Sequence, residues 1–157
     1  MTLTASEMLE WTSWKRATDR VWDEIARAIA ASTGLSTADF AVLTRAAEAE
    51  RAPRQQDIAD QLGWSRSRLS RQLSRMEKRG LLLRAAGRAS TLVEVTDEGR
   101  TLVGKARLAH ADAVRAALLA KVPTADADAF WRTVDQLSSH APRAALPTPG
   151  TGRPSSR

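Results

Sequence analysis

At 157 residues and 43% apolar, the chain is long enough for one domain with a core and too short for two comfortable ones. It has no cysteine and two histidines, which excludes disulfides, thiol redox chemistry and cysteine-held zinc, and no close histidine–carboxylate cluster suggests another metal. The net charge of +6 is localised: residues 51–88 hold ten Arg or Lys against three acids, the footprint of a nucleic-acid binder, whereas a solvated face normally mixes both signs.

Residues 6–31 place Leu9, Trp11, Trp14, Val21, Trp22, Ile25 and Ile29 mostly at three- and four-residue steps, which predicts a long amphipathic helix closed by Gly34. Ser36 suits the cap of a second helix over 37–48, with Phe40, Val42 and Leu43 facing inward. Pro53 opens a short third helix, about 54–62, ended by Gly63. Ser65 caps a fourth, about 66–79, with Gly80 past its end. The period then changes. Residues 81–84 and 91–95 read as strands, with 85–90 as the turn and Gly87 near its tip. Thr96 caps a helix from Asp97 to about Lys121, with two acids in its first turn. Thr124 is expected to cap a last helix carrying Phe130, Trp131, Val134 and Leu137. From Ala141 the chain is rich in Pro, Ser, Gly and Thr, so a disordered tail is expected over 141–157.

The third and fourth helices carry the chemistry. Two helices that cross steeply need a small residue where they touch, which Ala59 supplies, and a turn tolerant of positive φ, which Gly63 supplies. Ile58, Leu62, Leu69, Leu73 and Met76 form their shared core. On a wheel centred on Leu69, Leu73 and Met76 fall within about 40° at about 100° per residue. Ser67, Arg71, Ser74 and Lys78 point the opposite way, flanked by Arg68, Ser70 and Arg75. That face holds arginines and serines and no acid. Arginine grips guanine O6 and N7 bidentately, while serine hydroxyls and helix-start amides hold phosphates. Arg75, Lys78 and Arg79 also suit a helix C-terminus, where cations meet the dipole, and for Lys78 and Arg79 both readings stay open.

The run from Trp64 to Arg84, with its exit Glu77-Lys78-Arg79-Gly80-Leu81-Leu82-Leu83-Arg84, and the closing Val93-Glu94-Val95-Thr96-Asp97-Glu98-Gly99, resembles the MarR family of bacterial regulators. The resemblance covers about residues 6–140. It implies a mainly α fold with a small β-hairpin wing, a winged helix-turn-helix in an entwined homodimer. Residues 1–35 and 97–140 would be dimerisation helices, and 36–96 the DNA-binding lobe. It further implies a small, often phenolic or anionic, effector, which nothing in the residues identifies. The DNA-binding residues expected are Arg54, Gln55, Ser65, Arg66, Ser67, Arg68, Ser70, Arg71, Arg75, Arg88 and Ser90. One departure concerns the wing. The family usually carries Asp-x-Arg there, and the matching positions are Gly87 and Ala89, leaving Arg88 as the cation between them. Restoring the pair by Gly87→Asp and Ala89→Arg should tighten binding if the backbone tolerates a side chain at 87.

Other features have blander readings. Trp11, Trp14 and Trp22 share one face of the first helix, which suits a dimer core better than a ligand pocket. Trp131 is expected to be core, and His110 and His140 surface or interface residues. No Gly-rich phosphate loop, nucleophile elbow or carboxylate pair is present, so no enzyme, cofactor or metal is expected. No apolar run approaches the roughly 18 residues of a membrane span, and the polar, acidic start is unlike a signal peptide. The expectation is a cytoplasmic, homodimeric, sequence-specific regulator of double-stranded DNA, a repressor in kind, on a pseudo-palindromic operator. Its rivals are a winged-helix protein-interaction module and a sequence-indifferent DNA binder.

Overall fold

The computed structural model describes residues 2–87 and 90–139. The expected tail, His140, Arg88 and Ala89 lie outside the described residues. Helix α1 (Ala5–Thr33) starts on a capping box in which Thr4 N–H donates to the Glu7 carboxylate at 2.7 Å and Thr4 Oγ1 accepts from Glu7 N–H. It stops at Gly34, whose φ of 68° lets its N–H reach Ala30 O. Helix α2 (Thr37–Glu48) begins on a second box, made by Ser36 and Asp39. Helix α3 (Gln55–Leu62) ends at Gly63, and α4 (Arg66–Lys78) starts on Ser65, whose hydroxyl accepts from Arg68 N–H.

The hairpin pairs β1 (Leu82–Ala86) with β2 (Thr91–Val95), antiparallel, from Leu82 opposite Val95 to Ala86 opposite Thr91. Ala85 and Ala86, expected in the turn, therefore extend the strand. Alanine has little strand preference of its own, and here the cross-strand partners Leu92 and Thr91 decide. The start of α3 is laced to the same sheet: Arg54 bridges Leu92, and Val93 N–H donates to Pro53 O at 2.9 Å.

Helix α5 (Asp97–Ala117) is shorter than expected. A 3-10 turn (Leu119–Lys121) and Pro123 follow it, and proline disfavours helical geometry at the residue before it. Thr124 is not a side-chain cap; it lies in a second 3-10 turn (Thr124–Asp126) that leads into α6 (Ala127–Ser139).

One core holds these elements in place. Leu35, Val42, Leu43, Ile58, Leu69, Leu73, Met76, Leu82 and Val93 are fully buried, so α2, α3, α4 and the hairpin close around a shared apolar centre. Helices α1 and α5 lie against each other through Ile25, Ile29, Val103 and Ala106. Their outer faces are uncovered. Leu9 is 70%, Trp11 52% and Leu108 71% exposed, and Trp14, Trp22 and Leu137 also stand in the open. Trp131, expected in the core, is 37% exposed in the single chain, with its ring edge-on to Phe130. Periodicity marked it as apolar without showing that its own fold leaves it uncovered.

Candidate nucleic-acid interface

Helix α4 divides as its wheel predicts. Leu69, Leu73 and Met76 are fully buried, while Arg66, Ser67, Arg71, Arg75 and Lys78 are exposed. Arg68, Ser70 and Ser74 are half-buried at the edges of that face. The single acid of the helix, Glu77, is turned away and held by Arg84, whose Nη2 donates at 2.6 Å, Nε at 3.0 Å and backbone N–H at 3.1 Å. Hydrogen bonds from the Arg84 side chain, then from its backbone, hold the Glu77 carboxyl below the usual carboxylate range. The exposed face of α4 is thus cationic and free of acid.

The first residues of this face are braced by their neighbours. Arg66 Nε donates to Gln56 Oε1, and Gln56 Nε2 donates to Asp60 Oδ1 at 2.6 Å. The Arg68 guanidinium lies 4.1 Å from the centroid of the Trp64 ring, a cation–π contact. Ser65 and Ser67 hydroxyls are 3.2 Å apart beside the helix start. A shallow groove lined by Gln55, Gln56, Ala59, Arg66, Ser90 and Thr91 connects the starts of α3 and α4 to the tip end of β2. Gln55, Arg66 and Ser90, named from sequence, therefore meet in one place. Arg54 is exposed at the N-cap of α3, against β2. The remaining residues named from sequence lie along α4, except Arg88, which is outside the described residues.

Arg79 makes a contact that neither sequence reading named. Its Nη1 meets Asp39 Oδ2 at 2.8 Å and its Nη2 donates to Gly34 O at 3.2 Å, so it ties α4 to the α1–α2 junction. Sequence reasoning missed Asp39 and Gln72, both buried. An amide about 60° from Leu69, on the apolar arc of the wheel, was the available signal for Gln72.

The hairpin tip does not accept the pair expected of the family. Gly87 N–H donates to Ser90 O at 2.8 Å, and a Cβ at 87 would lie 2.7 Å from that same oxygen and 3.2 Å from Leu92 Cγ. The obstacle is backbone, so a side chain there must push the hairpin apart. Gly87→Asp with Ala89→Arg is accordingly expected to lower thermal stability by about 1–3 kcal/mol and not to tighten DNA binding. Tighter binding by that variant, measured by titration of a labelled duplex, would show that the tip can reshape.

These elements, a helix-turn-helix backed by a two-stranded wing, define a winged helix-turn-helix protein. The pattern of a Crp-like helix-turn-helix domain matches residues 26–100. Among solved structures, the chain is similar to Sco3205, a MarR family transcriptional regulator from Streptomyces coelicolor in complex with DNA, at 26% identity and a TM-score of 0.77, covering 94% of this chain and 96% of that one. It is also similar to AbsC, a MarR family transcriptional regulator from the same organism, at 23% identity and 0.76, covering 89% and 97%. CouR from Rhodococcus jostii RHA1, bound to p-coumaroyl-CoA, matches at 20% and 0.67, covering 89% and 98%. No curated protein sequence matches the chain. Within the winged-helix class, the fold is similar to that of MarR family transcriptional regulators. None of the described helices is long and apolar enough to cross a membrane.

Proposed function

We propose that the chain acts as a homodimeric, cytoplasmic repressor, each lobe of which lays α4 in the major groove of duplex DNA. The observation that carries this reading is the acid-free face of arginines and serines on α4, held rigid by Leu69, Leu73 and Met76 beneath it. Arg68, Arg71 and Arg75 read base edges, with Ser65, Ser67, Ser70, Arg66, Arg54, Gln55 and Ser90 on phosphates. Arg88, named from the sequence, is a weaker contact. The likeness to a DNA-bound regulator over nearly the whole chain supports this.

Dimerisation is supported by the uncovered apolar faces. Leu9, Trp11, Trp14 and Trp22 on α1, with Trp131 and Leu137 on α6, are too many large apolar side chains for a monomer to leave in water. In this reading residues 1–35 and 97–140 serve dimerisation and 36–96 DNA binding. A small phenolic or anionic effector, bound between the dimer helices and the lobes, would favour a lobe spacing that no longer fits the operator. CouR, with its bound p-coumaroyl-CoA, supports that part. The role is regulation, not catalysis.

Replacing Arg71 with Ala tests the assignment. Loss of a bidentate base contact should cost about 1–3 kcal/mol on the operator and relax preference at one base position per half-site. If affinity falls equally on operator and random duplex in titrations, Arg71 holds a phosphate and reads nothing.

A further inference from the structure

Gln72 is a polar side chain on the buried side of α4, 4% exposed between Leu69 and Met76. Its orientation is dictated. Nε2 donates to Asp39 Oδ1 at 2.6 Å, and an ionised carboxylate only accepts, so the amide nitrogen must face Asp39. The amide oxygen is then turned to the outer edge of the helix, where Arg75 Nη2 donates to it. Asp39 cannot swing away to release the amide. Its other oxygen accepts from the Ser36 backbone at 2.9 Å, the Ser36 hydroxyl at 2.8 Å and Arg79 at 2.8 Å. A chain of fixed contacts therefore runs from the cap of α2, through the core, to an exposed arginine.

We propose that Gln72 is a positioning residue: held by Asp39, it presets Arg75 for reading DNA. The proposal rests on α4 being the helix that reads DNA. One guanidinium N–H given to Gln72 leaves four, enough for a bidentate grip on a guanine edge. A guanidinium already held has less side-chain freedom to lose when it docks. Arg68 and Arg75 are seven residues apart on one side of the helix, about 10 Å, or roughly three base pairs. Arg68 is steadied on the Trp64 ring at one end of this row, and Arg75 on Gln72 at the other. A buried glutamine that served stability alone would satisfy Asp39 without setting anything at the surface.

The test uses the full chain, wild type and with Gln72→Met, Arg75→Ala and both together. Methionine matches the length of glutamine and removes its polar atoms; Gln72→Leu replaces it should that variant fail to fold. Affinity is measured on the duplex that the wild-type chain selects from a random library, and on random duplex. Mobility of the Arg75 Nε–H is followed by nitrogen-15 relaxation in the DNA-free protein. Arg75→Ala should weaken binding to the selected duplex roughly tenfold, Gln72→Met roughly fivefold, and the pair together no more than about tenfold. Random duplex should change by less than about twofold, and Gln72→Met should raise Arg75 mobility. Losses that multiply to about fiftyfold would overturn the positioning role. Unchanged Arg75 mobility would overturn the tether itself. A wild-type chain that selects no sequence would overturn the DNA reading beneath both, and that is seen before any residue is changed.

Discussion

Raising the salt from about 50 to about 200 mM should weaken operator binding by about 10³–10⁵-fold, the largest effect expected of this protein. Each phosphate neutralised by a lysine or arginine releases condensed counterions, so log affinity falls linearly with log salt. The structure narrows which cations contribute. Arg79 is paired with Asp39 and Arg84 with Glu77, which leaves each fewer free N–H groups for phosphate. Arg51, Arg54, Arg66, Arg71, Arg75 and Lys78 remain exposed. With some also reading bases, about three to five phosphates per lobe is a reasonable count, and two lobes give the slope above. Titration across the salt range checks this, and a flat dependence would contradict a DNA-binding role for the basic face.

The second large effect concerns stability. Gly99→Ala should destabilise the fold by about 3 kcal/mol, lowering the midpoint of thermal unfolding by roughly 6–12 °C. Gly99 lies in the first turn of α5, where its N–H donates to the Thr96 hydroxyl at 3.1 Å. A Cβ there would be 2.1 Å from Leu81 O and 2.9 Å from Val95 Cγ1. That carbonyl already accepts from Thr96 N–H, and the Thr96 hydroxyl donates to Gly80 O, so the seam between α4, the wing and α5 has no room to open. Gly104, further along the same helix, has nothing within 4 Å of such a Cβ. Gly104→Ala should therefore stabilise by up to about 1 kcal/mol through helix propensity alone. One substitution type with two signs, read by thermal melts, isolates the packing effect. Equal melts for the two variants would contradict the described seam.

The parts of the fold written in local chemistry were legible in the sequence. Gly34, Gly63 and Gly80 all take positive φ, a conformation that few other residues accept, and Ser36, Ser65 and Thr96 all cap. The wheel of α4 likewise separated Leu69, Leu73 and Met76 from the arginines. What was not legible depends on partners distant in sequence. Asp39 reads as a capping-box acid, which it is, but its bonds to Gln72 and Arg79 reach 33 and 40 residues away. Nothing local to Arg79 separates a tie to Asp39 from a contact with phosphate. The strand end at Ala85 and Ala86 was misjudged because small residues take their state from the facing strand. Trp131 illustrates a related point: an apolar stripe states that a face must be covered, not by which chain.

Selection of random duplexes by the purified full-length chain, followed by footprinting of the enriched sequence, tests the central claim most directly. A homodimer with α4 in two successive major grooves should enrich a pseudo-palindrome with half-sites centred about 34–36 Å apart, one helical turn, and protect both. Enrichment of no sequence, or of a single half-site protected alone, would contradict it.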